Sequence, residues 1–427
     1  MSGEIADNTC AHERIAHMDC IRGFALLGIL CMNIECFVGP YAEGVTGVDP
    51  NLHGINRWVD AVVYILVQGK FYAIFSVLFG MGFGCMEQNA ARNDRAFSSI
   101  YLRRIAGLLC IGAIHAIAIW SGDIITIYAL LACLLLSLRY MPLPSYLVMA
   151  TVLYLFIPTL LLGYCAIGAW ETHVSAQSAA LWQHGLAQQA HQAANELAVQ
   201  RALLEHGSYL QVTMQRLRDI QNIGVTLFCN GPAVLAFFLV GLWISRVDKQ
   251  LQGPAWQWCG YIGWPCGLLL MLCSVLLQPN LALGVNSIRE AVAYFLWQLA
   301  NALMCFGYMA WICKIGERLR WLEAVGRMSL TNYIIQSLLC TWIFNAYGLG
   351  GYEKLSRAEQ IPFVIMVFIC QVAYSNCWLR YFRWGPIEWL LRCVTYLKLQ
   401  PLRRARKLPV SIDQMQILES TIIPRKK

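Results

Sequence analysis

Apolar residues run along this chain in long blocks, with polar residues gathered at the block ends. That is neither the two-residue alternation of a half-buried strand nor the one-sided stripe of a soluble amphipathic helix. Blocks of roughly 17 to 25 apolar residues suit helices that cross a bilayer. Ten are predicted, at about 20–40, 61–86, 105–120, 124–139, 146–169, 223–245, 258–277, 291–313, 328–347 and 362–380. The third and fourth are short and tightly joined, so they also suit a hairpin that does not fully cross, and counts of nine or eleven stay open. The expected fold is all-α: a polytopic membrane protein of about ten transmembrane helices. Residues 171–222, between the fifth and sixth spans, are expected to form an outward helical insertion carrying Leu181, Leu186, Leu197, Leu203 and Leu204. The chain then divides into a polar N-terminus (1–18), a first five-helix bundle (19–170), the insertion (171–222), a second five-helix bundle (223–384) and an interfacial helix with a basic tail (385–427).

Composition sharpens this picture. Of 427 residues, 58% are hydrophobic and 13% charged, against about 25% charged in soluble domains. The expected partner is therefore the lipid bilayer, and no nucleic-acid partner is expected. Arg92, Arg95, Arg103 and Arg104 follow the second span, Lys314, Arg318, Arg320 and Arg327 the eighth, and "PLRRARK" the tenth. With an even count these lie on one side, which positive-inside bias makes cytoplasmic, together with both termini. Residues 1–18 lack the apolar core and cleavage site of a signal peptide, so the first span is expected to be a retained anchor. Most of the 18 Cys lie inside apolar runs, where Cys behaves as a small hydrophobe. No CxxC occurs and no metal site is expected. His173, His184, His191 and His206 of the insertion are spaced too irregularly for metal ligands and read as solvated.

Ionisable groups at bilayer depth cost at least ~2.5 kcal/mol each on insertion scales, so each marks a pairing role or a site. Asp19 and Arg22 are three apart and share a helix face, as an ion pair that anchors the first span or as part of a site. Asn33 sits in the outer third of that span as interhelical glue or as part of a polar cavity. In "GAIHAIAIWSGDIIT", His115 and Asp123 are eight apart across a break. If they touch, the carboxylate fixes the imidazole tautomer and raises its basicity, as a general base requires; otherwise His115 is a packed core histidine. In "GKFYAIFSVLFGMGFG", Lys70 either starts the span proper or lines a cavity, with "VVYILV" before it as an interfacial or re-entrant helix. Gly80, Gly82 and Gly84, read at spacing two, are not expected to make a GxxxG groove. In "GRMSLTNYIIQS", Ser329, Thr331, Asn332, Tyr333 and Gln336 beside Arg327 suit either an anion-binding cavity or a polar seam between helices.

Taken together, "DCIRGFALLGILCMNI", "GKFYAIFSVLFGMGF", "RRIAGLLCIGAIHAIAIWSGDIITIYAL", "GRMSLTNYIIQSLLCTWIF" and "LRYFRWGPIEWLLR" resemble the YeiB-like family of bacterial inner-membrane proteins, a domain of unknown function (418). The resemblance covers about residues 19–392. That family distantly resembles the transmembrane acyltransferases, including bacterial acyltransferase family 3 and the lysosomal heparan-α-glucosaminide N-acetyltransferase. Those enzymes pass an acyl group from cytoplasmic acyl-CoA to an acceptor on the far side, using an intramembrane His. The resemblance implies catalytic roles for His115 and Asp123, with Asp19 and Arg22 as the first-span signature. It departs at Asn33, which stands where family 3 carries a His and cannot serve as a base. Acyl-CoA is then the expected donor, its phosphates held by Arg22, Arg103, Arg104 and Arg327. An extracytoplasmic glycan, lipid or small molecule is the expected acceptor, with Trp120 and Trp297 on its side. The alternative is a transporter or exporter with a proton path through Asp19, Lys70, His115 and Asp123. A noncatalytic envelope scaffold is a third.

Overall fold

The computed structural model describes residues 2–41, 44, 47–247, 253–281 and 284–404, and the last part of the expected basic tail lies outside them. Sixteen α-helices follow in chain order: α1 (Ser2–Val38), α2 (Gly54–Leu66), α3 (Phe71–Arg92), α4 (Phe97–Ile114), α5 (Ile125–Leu138), α6 (Leu143–Val174), α7 (Ala176–His206), α8 (Tyr209–Gln221), α9 (Ile223–Val247), α10 (Pro254–Trp258), α11 (Trp264–Leu277), α12 (Ile288–Ile315), α13 (Glu323–Arg327), α14 (Ser329–Phe344), α15 (Arg357–Tyr381) and α16 (Pro386–Tyr396). No strand forms among the described residues; two isolated bridges, Gly47 with Asn280 and Phe382 with Arg403, pin loops. An all-helical multi-pass membrane fold is what such sequences permit, because hydrocarbon leaves backbone groups no partner but their own helix.

Eight described segments are long and apolar enough to cross a bilayer. The expected fourth and ninth spans fall short of that length: α5 has 14 residues and α14 has 16. Each meets a neighbouring element at one end. The turn before α5 is covered by α8, and α14 starts against α16. The second expected span is broken, with α2 ending at Leu66 and α3 starting at Phe71. Helix starts follow local rules. Ser208 with Gln211, Ser287 with Glu290 and Ser356 with Glu359 form capping boxes at α8, α12 and α15, satisfying donors that the first turn leaves free.

Two faces result. One gathers the arginines: Asp19 is paired with Arg22 and feels the charge of Arg327, while Arg246 bonds Glu87 and the carbonyl of Arg139. The opposite face carries the insertion, which is two helices, α7 and α8, rather than one segment. It is tied down by Ala346 N–H on the Leu204 carbonyl and by Arg201 on Glu353. The two expected five-helix halves share one core. A single buried apolar cluster runs from Met18 in α1 through α3, α5, α6 and α9 to Leu391 in α16.

The α3–α9 contact carries a correction. A Cβ at Gly80 would stand 2.0 Å from the Phe238 carbonyl oxygen, and one at Gly241 2.0 Å from that of Val77. Gly84, four residues after Gly80, meets the Ser245 side chain. Gly80 and Gly84 therefore do form an i, i+4 groove, the small-residue surface that lets membrane helices approach; reading the three glycines at spacing two hid it. Gly82 faces elsewhere, its nearest neighbour being Arg22 Nη2 at 4.0 Å. Gly80→Ala is accordingly expected to destabilise the bundle by about 1–3 kcal/mol through overpacking, with Gly82→Ala nearly neutral. Thermal unfolding of the two purified variants in detergent checks this; equal midpoints would contradict the contact.

Candidate active site

The site is built where α4 ends. Residues His115–Ile119 wind as a π-helical turn, closed by the Trp120 N–H on the His115 carbonyl at 2.8 Å. Such turns widen a helix and recur at functional sites. The chain then doubles back at Gly122 and Asp123 into α5. Gly112 permits this: a Cβ there would stand 2.7 Å from the Thr126 nitrogen.

The break brings His115 and Asp123 together. Nδ1 of His115 lies 2.9 Å from Oδ1 of Asp123, with side-chain exposures of 1% and 2%. Asp123 also accepts from the N–H of Ile125 at 3.2 Å and of Thr126 at 2.7 Å. Its carboxylate thus sits at the N-terminus of α5, where free N–H groups and the helix dipole favour negative charge. An ionised carboxylate only accepts, so Nδ1–H donates to it and the lone pair rests on Nε2. Nε2 is buried and bonds nothing within the protein. Tyr333 packs its ring 5.1 Å from the imidazole, and its hydroxyl meets the backbone at Ile124. Tyr333 stood in the polar run of the ninth span, yet nothing in the sequence set it against His115.

Toward the insertion face, Trp120 lies across Gly122 and packs on Phe37 (4.4 Å) and Tyr41 (6.1 Å). With Ser121, Arg216, Asp219, Thr341 and Asn345 it lines a cavity of about 40 Å3. Arg216 of α8 is 4% exposed. It donates to the Ala118 carbonyl (3.0 Å) and the Tyr347 hydroxyl (2.9 Å), and Tyr209 donates to the same carbonyl (2.9 Å). The insertion thereby caps the π turn. Asn33 is buried one turn before Phe37 on α1, a spacing that places both on one face.

The other expected residues go elsewhere. Asp19 and Arg22 pair at 2.6 Å. Asn332 and Gln336 form a seam, not an anion cavity: Asn332 bonds Ser375 at 2.9 Å, and Gln336 bonds Gln371 at 2.7 Å. Ser329 starts α14 beside them. Arg327 donates to the Arg383 carbonyl at 3.2 Å and lies 3.9 Å from Glu323. Of the four arginines expected at the mouth, Arg22 and Arg327 both act on Asp19, and Arg104 feels Arg22 and Arg392. Arg103 lines a groove with the same Arg392. Lys70 starts α3 and is fully buried, its ammonium donating to the carbonyls of Tyr64 (3.1 Å) and Gln68 (2.8 Å). It closes the break that Gly69 turns at φ +83°. Trp297 packs against that Gly69.

Two groups escaped the sequence reading. Arg357 of α15, 5% exposed, bonds Glu35 of α1 and Asp60 of α2, each at 2.9 Å. Three charges at the polar ends of apolar runs were the available signal, but only the fold pairs them. Glu388 of α16 accepts from the N–H groups of Leu330 (2.8 Å) and Thr331 (3.0 Å) and the Thr331 hydroxyl (2.5 Å). It thereby caps α14 from another element.

An all-helical, multi-pass membrane protein with a buried imidazole–carboxylate pair is the class that fold and site define. The family described as "Protein of unknown function (DUF418)" matches residues 243–398. The chain is 30% identical to "Uncharacterized protein YxaH" of Bacillus subtilis (strain 168) over 94% of this chain and 98% of that one. It is 31% identical to "Uncharacterized protein YeiB" of Escherichia coli (strain K12), over 90% and 96%. The chain belongs to this YeiB-like DUF418 family. No solved structure matches it.

Arg357→Met leaves Asp60 and Glu35 without their cation and is expected to cost about 3–5 kcal/mol, read as a lowered unfolding midpoint that Asp60→Asn in the same chain partly restores. Burial raises the Glu388 pKa above its ordinary 4.5, outweighing the bonds it accepts. The folded chain therefore holds that proton more tightly than the unfolded one. The associated stability is complete below pH 4.5 and lost as pH rises through the folded value. Glu388→Gln should flatten the fall of midpoint with pH across that window, and an unchanged slope would assign the dependence to other groups.

Proposed function

We propose that the protein is a transmembrane acyltransferase. It moves an acyl group, most simply acetyl, from cytoplasmic acyl-CoA to a hydroxyl or amine acceptor on the outer side of a bacterial inner membrane. The observation that carries this reading is the orphaned, buried Nε2 of His115, held as the acceptor nitrogen by Asp123. Nε2 takes the proton of the acceptor O–H or N–H as that atom attacks the thioester carbonyl. The C–S bond then breaks, and the imidazolium returns the proton to the departing thiolate. Asp123 keeps the tautomer and stabilises the transient imidazolium, and Tyr333 fixes the ring.

The arginine-rich face is the cytoplasmic one, in keeping with positive-inside bias, and both termini belong to it. Arg103 and Arg104 precede His115 by three turns on the same helix, about 17 Å at ~1.5 Å per residue. A donor with its phosphates near them and its thioester reaching inward suits that separation. The acceptor enters from the insertion face, beneath α8 and past Trp120.

One observation favours a second reading, a transporter. Around the break at Lys70, both amide atoms of Asn301, the Gln298 Oε1 and the Trp297 Nε1 are buried without partners. A polar pathway through the bundle would use such groups.

The decisive measurement is radiolabel transfer from acetyl-CoA presented to the cytoplasmic side of inverted vesicles. Wild type is expected to label an acceptor, and His115→Ala to lose about 10²- to 10⁴-fold of that rate, the usual share of a general base, while still unfolding cooperatively at a lowered midpoint. Equal transfer by the variant removes His115 from the chemistry. Absence of label in wild type together with proton-coupled flux would install the transporter instead.

A further inference from the structure

On the arginine-rich face, a groove of about 670 Å3 opens between the start of α4 and the end of α16, more than 10 residues along the chain from the His115–Asp123 site. Its size falls in the range of ligand sites. Four of its lining residues are cations, Arg95, Arg103, Arg392 and Lys398, and none is an acid.

The groove is built rather than incidental. Arg392 lies with its guanidinium 4.1 Å from the Trp384 ring centroid and 5.4 Å from that of Tyr396; its Nε is buried and bonds nothing. Stacking fixes the plane of a guanidinium and leaves its N–H edge for an anion. Arg103 is steadied by its own Nε on the Ser99 carbonyl at 3.0 Å. The far wall is a folded-back segment. Leu397 adopts φ +48°, a left-handed conformation that costs a residue with a Cβ and that persists where surroundings impose it. The turn brings Lys398 through Pro401 over α4. Trp389 Nε1 on the Gln400 carbonyl (2.8 Å) and Arg383 N–H on the Leu402 carbonyl (2.8 Å) pin it there. Leu399, 79% exposed, lines the mouth.

Four cations without a carboxylate, one guanidinium stacked with its Nε short of a partner, and an apolar shoulder at Leu399 all suit one ligand chemistry. We infer that this groove binds a multiply charged phosphate group carried on an amphiphilic or nucleotide ligand. Guanidinium and ammonium groups hold such oxygens by charge-assisted bonds. Two sources carry this chemistry, the headgroup of an anionic lipid and the phosphates of a soluble nucleotide. Arg103 is shared with the donor side of the proposed acyl transfer, so the inference rests in part on that reading, while Arg95, Arg392 and Lys398 lie outside it.

The test uses the full chain purified in detergent and reconstituted in nanodiscs. Two probes are applied: phosphatidic acid doped into phosphatidylcholine, read by native mass spectrometry, and adenosine 3′,5′-bisphosphate, read by titration calorimetry. Wild type is expected to bind at least one. Retained phosphatidic acid assigns the groove to the bilayer, and calorimetric binding of the bisphosphate assigns it to a soluble nucleotide. Arg103→Gln with Lys398→Gln should weaken the bound probe roughly fivefold for each charge removed. Arg103→Lys with Lys398→Arg, which keeps the charge, should bind within twofold of wild type and so separates lost recognition from lost folding. His115→Ala should bind as wild type, so loss of the groove and loss of acyl transfer are separate results. No binding of either probe, or equal binding by the charge-removing variant, overturns the inference.

Discussion

Hydrocarbon offers no partner to a broken helix, and that constraint organises this protein. Two interruptions among the described residues lie inside the bundle and are closed by named side chains. At residues 67–70, Lys70 takes the carbonyls of Tyr64 and Gln68, and the Tyr308 hydroxyl takes that of Leu66 at 3.0 Å. At 115–124, Asp123 takes the first free N–H groups of α5, while Tyr209 and Arg216 take the Ala118 carbonyl of the π turn. Lys70 is therefore intelligible as a helix terminator, and the insertion as part of the membrane bundle's own closure.

The second interruption has a chemical by-product. A carboxylate recruited to cap α5 is also in place to hold an imidazole, so one residue serves the backbone and the candidate site together. His115 then keeps one nitrogen satisfied and one nitrogen free, in surroundings that strengthen electrostatic interactions. Tyr333 and Trp120, from different helices, close the two sides of the ring and the turn. Because α8 reaches the π turn directly, movement of the insertion would be felt two or three residues from His115.

Close helix approach holds these pieces in register. Membrane helices gain no hydrophobic drive against lipid and depend on fit, which is why glycines at the α3–α9 crossing matter more than any single large side chain there. Charge is partitioned just as strictly. The Glu35–Arg357–Asp60 set ties three helices on the insertion face. Arg95, Arg103, Arg392 and Lys398 collect on the other face, around a groove whose far wall depends on one left-handed leucine.

The sequence by itself determined the class of fold, the approximate extents of the apolar segments, the polar insertion, the charge-rich ends and the pair of residues most worth watching. Hydropathy, span length and the cost of ionisable groups in lipid are local properties, and each is written residue by residue. Only the tertiary structure decided that His115 and Asp123 touch, because a π turn and a reversal separate them and no periodicity encodes a reversal. The same reason explains the rest. Asn332 and Gln336 proved to be a seam because α15 supplies Gln371 and Ser375 opposite them. Which polar residue pairs with which is a property of packing between helices far apart in the chain, and hydropathy carries no record of it.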